Sequence, residues 1–291
     1  MTNKSLKISH TLLAAVALFP WITASAQTTA NPIVDFVLDA SVSSGNTYQN
    51  FHQAGAGSSG VYVIGFNVDV SHVNGAPNGL GPVAGFCIEL SQNIGNGTWT
   101  YEAGHLYQAS AGIAGTIGTS SSNIPVGGIG DLRAARVRYL FDHFYQSSNI
   151  SLWTHNSTTS NIHAFQLALW EVSHDDDLSL SNTNGSIYFS GGQGSGANAP
   201  FRNNVINLAN SWLTNISNAG VTESYTSTTI DVATLISVQG TNNGPDYQDL
   251  VMGYAKGAPG YDQFTQLIPV PEPSSILSIL FGSLLTLRRR R

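Results

Sequence analysis

Val83-Ala84-Gly85-Phe86-Cys87-Ile88-Glu89-Leu90 reads as a β-strand. Period-two geometry puts Phe86, Ile88 and Leu90 on one face and Cys87 and Glu89 on the other. The first face has the composition of a sandwich core, and the second must be covered by another part of the chain. Cys87 is the only cysteine among 291 residues, so it has no partner for an internal disulfide. A lone thiol of this kind is either a buried small hydrophobe or a reactive group.

A second stretch bears on the same question: Ala164-Phe165-Gln166-Leu167-Ala168-Leu169-Trp170. Ser160 or Asn161 can cap a helix that runs through it to about His174. Ile162, Phe165, Leu169 and Val172 make one apolar stripe. Ala164, Leu167, Ala168 and Trp170 leave little of the remaining surface polar, so this helix is expected to be buried on several sides. Gln166 lies in its middle. A buried carboxamide without partners costs roughly 1–3 kcal/mol. Either Gln166 is hydrogen-bonded to backbone or water, or its carboxamide is consumed by acylating Cys87 with loss of ammonia.

Working outward, Val61 to Val70 alternates, with Tyr62, Ile64, Phe66, Val68 and Val70 on one face of a half-buried strand. Ile33 to Asp39 is apolar enough for a first strand, and Ser43 to Gly60 reads as a loop or a weak strand. Asn74 to Pro82, with three Gly and two Pro, is predicted to be a loop. Thr98 to Tyr107 is β-prone, and Ala109 to Gly130 is low in complexity and reads as a long flexible loop. Asp131 is the predicted N-cap of a helix carrying Leu132, Ala135, Leu140 and Phe144 at helical spacing. Pro200 opens a third helix, lined by Phe201, Val205, Leu208, Trp212 and Ile216. Tyr225 to Val238 and Asp246 to Tyr254 read as closing strands. The fold class is therefore mainly β (α+β): a β-sandwich or barrel with an inserted helical subdomain of about three helices between residues 131 and 216.

Both ends look like addresses rather than fold. Lys4 and Lys7, the apolar run Leu12 to Trp21 and the small residues Ala24-Ser25-Ala26 read as a secretory signal peptide over residues 1–26. A single mature domain is expected over residues 27–268. Residues 269–291 form a tail: Pro271-Glu272-Pro273, an apolar segment from Ile276 to Leu287, then Arg288, Arg289, Arg290 and Arg291. A short apolar helix followed by a basic cluster can hold a chain transiently in an inner membrane. Without its two ends the chain keeps five basic residues, Arg133, Arg136, Arg138, Arg202 and Lys256, against sixteen acidic ones, a net charge near −11. Such a surface repels phosphate backbones, which argues against nucleic acid as a partner.

The tail resembles the PEP-CTERM sorting signal of Gram-negative bacteria. That resemblance implies an exosortase as a partner during sorting, and delivery to the cell surface or the exopolysaccharide matrix. The central region carries a second resemblance. Phe86-Cys87-Ile88-Glu89 and Phe165-Gln166-Leu167-Ala168-Leu169-Trp170 are similar to the two motifs of the thioester domains of bacterial surface adhesins, although Phe165 stands where those motifs commonly carry Thr. The resemblance implies a β-sandwich with a helical subdomain and a Cys87–Gln166 thioester between them. It also implies covalent attachment to amines or hydroxyls of proteins or polysaccharides.

Other chemistry is thinly supported. Possible supporting residues are Glu89, Trp170 and His163, the last lying one turn before Gln166 and read either as a proton shuttle or as a packed ring. A Cys87–His163 protease dyad is disfavoured because Cys87 reads as mid-strand. His174-Asp175-Asp176-Asp177 lacks EF-hand spacing and reads as a solvated turn. Arg133, Arg136 and Arg138 read as a solvated helix face. No zinc-protease, nucleophile-elbow or phosphate-loop motif occurs. The expectation is a non-enzymatic protein without metal or cofactor: a thioester adhesin or matrix-crosslinking protein, or else a non-reactive structural or glycan-binding matrix protein of the same fold.

Overall fold

The structure, a computed structural model, describes residues 31–42, 47–53, 57–89, 97–108, 128–154, 156, 158–180, 187–189, 199–237 and 248–269. The signal peptide, Leu90, nearly all of the 109–130 segment and the sorting tail from residue 270 lie outside the described residues. The strands are β1 (Ile33–Val42), β2 (Thr47–Gln53), β3 (Gly57–Tyr62), β4 (Gly65–Val73), β5 (Ala76–Cys87), β6 (Gly97–Gly104), β7 (Ile187–Phe189), β8 (Ile230–Ile236) and β9 (Leu250–Ala255). The helices are α1 (Gly130–Phe144), α2 (Asn161–His174), α3 (Ala199–Ala219) and α4 (Tyr261–Thr265).

Six strands close into an antiparallel barrel in the order β1-β4-β5-β9-β8-β6, and β3-β2-β7 form a separate three-stranded sheet. Burial alternates along β1, as a barrel wall requires. Val34, Phe36 and Leu38 of β1 are buried, while Ile33 and Val37 on the alternate face are exposed and Asp35 is half-buried. Closure comes where β1 pairs with β6, from Ile33 opposite Glu102 to Leu38 opposite Gly97.

The predicted Asn74-to-Pro82 loop is corrected by the structure. Only Asn74 and Gly75 turn, both at positive φ (52° and 76°), and β5 begins at Ala76. Asn-Gly between strands is a two-residue hairpin signal, because both central residues must adopt positive φ. Pro77 and Pro82 fit within the strand because β9 pairs only with residues 85–87, leaving the earlier part of β5 an edge. The α1 N-terminus is a second correction. Its cap residue is Ile129, with no side-chain cap bond, and Asp131 sits in the first turn. Ser160 caps α2 as read, its hydroxyl accepting from the N–H of His163 at 3.4 Å.

Helix α2 is buried along nearly its whole length, packed against α1, α3 and the barrel strands β4 and β5. A cluster of rings joins helices to barrel. Phe86 of β5 lies 4.7 Å from Phe165 of α2 and 5.2 Å from Trp153, and Phe165 lies 5.0 Å from Phe141 of α1. Burying each large ring stabilises the seam by roughly 2–3 kcal/mol. Phe86 therefore points out of the barrel into the helices, rather than into a sandwich core. Among the described residues, no helix is long and apolar enough to cross a membrane.

Candidate functional site: the seam between Cys87 and Gln166

Strand β4 begins at Gly65, which pairs with Phe86. One residue further along β5, Cys87 has lost its β4 neighbour, and the Gln166 side chain from α2 takes that neighbour's place. The N–H of Cys87 donates to Gln166 Oε1 at 2.9 Å, and Gln166 Nε2 donates to the Cys87 carbonyl at 2.6 Å. A primary carboxamide has one acceptor and donors in the layout of a peptide unit, so it closes both groups that the shortened strand leaves open. Both residues are buried, Cys87 at 3% exposure and Gln166 at 0%. Two residues 79 apart in sequence thus touch through paired hydrogen bonds.

The next residues on β5 are held in the same way from both sides. Ile88 donates to the Asp249 carbonyl at 3.0 Å, and the Ser173 hydroxyl of α2 reaches the Ile88 carbonyl at 3.5 Å. The Gln248 side-chain amide donates to the Glu89 carbonyl, and Tyr101 donates to the Gln248 carbonyl at 3.1 Å. Gln248, Asp249, Tyr101 and Ser173 were not singled out from sequence. No motif marks them, and Asp246 to Tyr254 alternates only weakly.

The side chain of Cys87 shares its strand face with Gly85, where a Cβ would lie 2.5 Å from Val68 and 3.5 Å from Met252, both of the barrel core. The thiol thus belongs to the barrel interior, while the carboxamide of Gln166 sits at the strand edge. Burial, and then the nearby Glu89 carboxylate, push the Cys87 thiol far above its ordinary range. Tyr101 is pushed up too, first by burial and then by Asp249 and Cys87. The free thiol therefore stays protonated and is a poor nucleophile without a base.

The remaining sequence-predicted residues separate. Glu89 is buried beside the pair, its Oε2 accepting from the Asp249 N–H at 3.5 Å. His163 is buried with its ring edge-on to Phe201 of α3, the ring centres 5.7 Å apart. Trp170 is 4% exposed one turn beyond Gln166, and its carbonyl accepts from the Ser173 hydroxyl at 3.1 Å. No protein-family model matches the chain, and neither does any curated protein or solved structure.

Proposed function

We propose that the chain is an exported cell-surface or exopolysaccharide-matrix protein of a Gram-negative bacterium. In this reading Cys87 and Gln166 form an internal thioester that attaches it to surface amines or hydroxyls, and the protein is not an enzyme. The observation that carries this reading is the two-point contact between the Gln166 carboxamide and the backbone of Cys87. In formation, the Cys87 sulfur attacks Gln166 Cδ. The C–N bond breaks, and ammonia leaves with the thiol proton. The Cys87 N–H, already on Oε1, is placed to stabilise the negative oxygen of the tetrahedral intermediate. In use, a target amine or hydroxyl attacks the same carbon, the C–S bond breaks, and Cys87 recovers a thiol while the chain stays attached through Gln166. The event happens once per molecule and is not turnover.

Burial supports storage of such a bond. It disfavours a thiolate but not a neutral thioester, and it keeps water from the acyl carbon. The signal-peptide and PEP-CTERM resemblances support export and exosortase processing. The thioester-domain resemblance supports the adhesive role.

A second reading is favoured by a different feature of the same contact. Gln166 is already satisfied by the Cys87 backbone, and the thiol lies on the interior side of the strand. In that reading Gln166 is a strand-end cap, Cys87 is packed sulfur, and the protein is a structural or glycan-binding matrix component. Intact-mass spectrometry separates the two. A thioester makes the chain lighter by one ammonia and lets methylamine add, and Cys87→Ala removes both effects. A full-mass chain inert to methylamine selects the capping reading.

A further inference from the structure

Helix α2 ends at His174 in a turn built on carboxylates. Glu171 and Asp175 lie one helical turn apart at i, i+4. Asp175 Oδ1 accepts from the N–H groups of Asp176 (2.7 Å) and Asp177 (3.4 Å), and its Oδ2 accepts from the N–H of Ile187 (3.1 Å). Leu178 follows with a positive φ of 55°. The Ser179 N–H then donates to Glu171 Oε1 at 2.8 Å and to Asp177 Oδ1 at 3.0 Å. One carboxylate oxygen from each of Glu171, Asp175 and Asp177 falls within 4.8 Å of the others.

The acid between them is handled differently. Asp176 turns to Arg133 (3.3 Å) and Arg136 (3.2 Å), so these guanidinium groups neutralise the one acid outside the cluster. Glu171 is 0% exposed, its carboxyl group is aimed into the cluster, and its Oε2 meets no hydrogen-bond donor. A buried carboxylate oxygen without a donor is costly, and neighbouring carboxylates raise the cost. A bound cation would reverse the sign of both effects.

We infer that Glu171, Asp175 and Asp177 form a binding site for one calcium ion at the C-terminal end of α2. The donor set is all oxygen, which suits a hard cation and excludes a thiol- or imidazole-seeking metal. An irregular set of three carboxylates with a backbone turn fits the flexible coordination of calcium better than the strict octahedron of magnesium. The inference is independent of the thioester reading.

The test is thermal unfolding of the purified full chain at neutral pH, in EDTA and with calcium or magnesium added. Binding of the kind seen in extracellular modules has a Kd of about 0.1–1 mM. Calcium at a hundredfold excess over Kd is expected to raise Tm by about 5 °C. Magnesium at the same concentration is expected to raise it less, and native mass spectrometry should find one calcium per chain. Glu171→Gln is expected to fold without calcium, because its amide can donate to Asp177, and to lose the calcium shift. Asp177→Asn, at an exposed position, tests the same loss if Glu171→Gln fails to fold. A wild-type Tm indifferent to calcium, or a soluble variant that keeps the full shift, overturns the site.

Discussion

Gln166 holds Cys87 by its main chain, through an acceptor 2.9 Å from the N–H and a donor 2.6 Å from the carbonyl. The contact makes the helix layer a continuation of the barrel wall, because the carboxamide occupies the edge position that β4, which begins at Gly65, leaves open beside Cys87. Gln166→Ala strips partners from two buried backbone groups and leaves a cavity. It is expected to lower stability by about 2–4 kcal/mol. Cys87→Ala leaves both hydrogen bonds intact and should cost only about 1 kcal/mol if the sulfur is merely packed. Urea unfolding measures both. If Cys87→Ala costs as much as Gln166→Ala, the sulfur is more than packing material.

If the thioester forms, its acyl carbon is covered, since Gln166 is wholly buried and Cys87 nearly so. Methylamine should therefore add slowly to the native chain. Addition should speed up in urea below the unfolding midpoint, where local opening becomes frequent. Mass spectra taken over time at several urea concentrations read the rate. A rate independent of urea would mean that the carbonyl is already open to solvent.

The sequence carries one part of this contact, the need of the Gln166 carboxamide for a polar partner, and the reason lies in side-chain chemistry; that the partner is the Cys87 main chain and not its thiol is a property of the fold. An apolar helix with one carboxamide in its middle must bring that group to a polar partner, and Gln166 does so. Which partner it meets was not written locally. The edge vacancy at Cys87 depends on where β4 begins, which is a property of the barrel. The single strand read over Val61 to Val70 is two in the structure: β3 ends at Tyr62 in the three-stranded sheet and β4 begins at Gly65 in the barrel, so only the part from Phe66 to Val70, with Asp69 exposed between buried Val68 and Val70, follows the pattern. The first half of β5 does not show in the sequence, because its prolines and glycines are tolerated only by virtue of its edge position, which the local pattern does not carry. The Asn74-Gly75 pair held the missing signal. Glu171 is masked in the sequence by the apolar residues around it on α2, and only the i, i+4 step to Asp175 links it to the acidic turn. The sequence reading anticipated about three helices; the described residues carry a fourth, the five-residue α4.

Close packing of α1 on the barrel depends on Gly253 of β9. A Cβ there would lie 2.4 Å from Phe141 Cδ1 and 2.7 Å from its Cε1. Gly253→Ala is expected to cost about 1–3 kcal/mol, the usual range for overpacking. In a Gly253→Ala/Phe141→Leu double mutant the two losses should be less than additive, because the smaller side chain makes room for the methyl group. Chemical denaturation of the four proteins completes the cycle, and strict additivity would show that the ring is not what the new methyl meets.

Asp142 sets the pH response of the loop leading into β8. Its carboxylate accepts from the Tyr225 hydroxyl (2.8 Å), the Ser227 hydroxyl (2.5 Å) and the N–H groups of Thr228 (2.8 Å) and Ile230 (2.9 Å). Burial pushes the carboxyl up, but the bonds from Ser227, Thr228, Ile230 and Tyr225 outweigh it and hold it well below the usual carboxylate range. A depressed native pKa means stability that is fully present above the unfolded value, about 3.9, and lost as pH falls through the native value. The difference in unfolding free energy between the wild type and Asp142→Ala should therefore be constant, at about 2 kcal/mol, above roughly pH 5. It should shrink steadily below about pH 4 as the carboxylate takes up a proton and the donors from residues 225–230 lose a charged acceptor. Urea melts of both proteins between pH 3 and pH 7 give the curve. A difference that grows on acidification would mean that the native carboxyl binds its proton more readily than the unfolded one, and that burial rather than the ring of donors governs this residue.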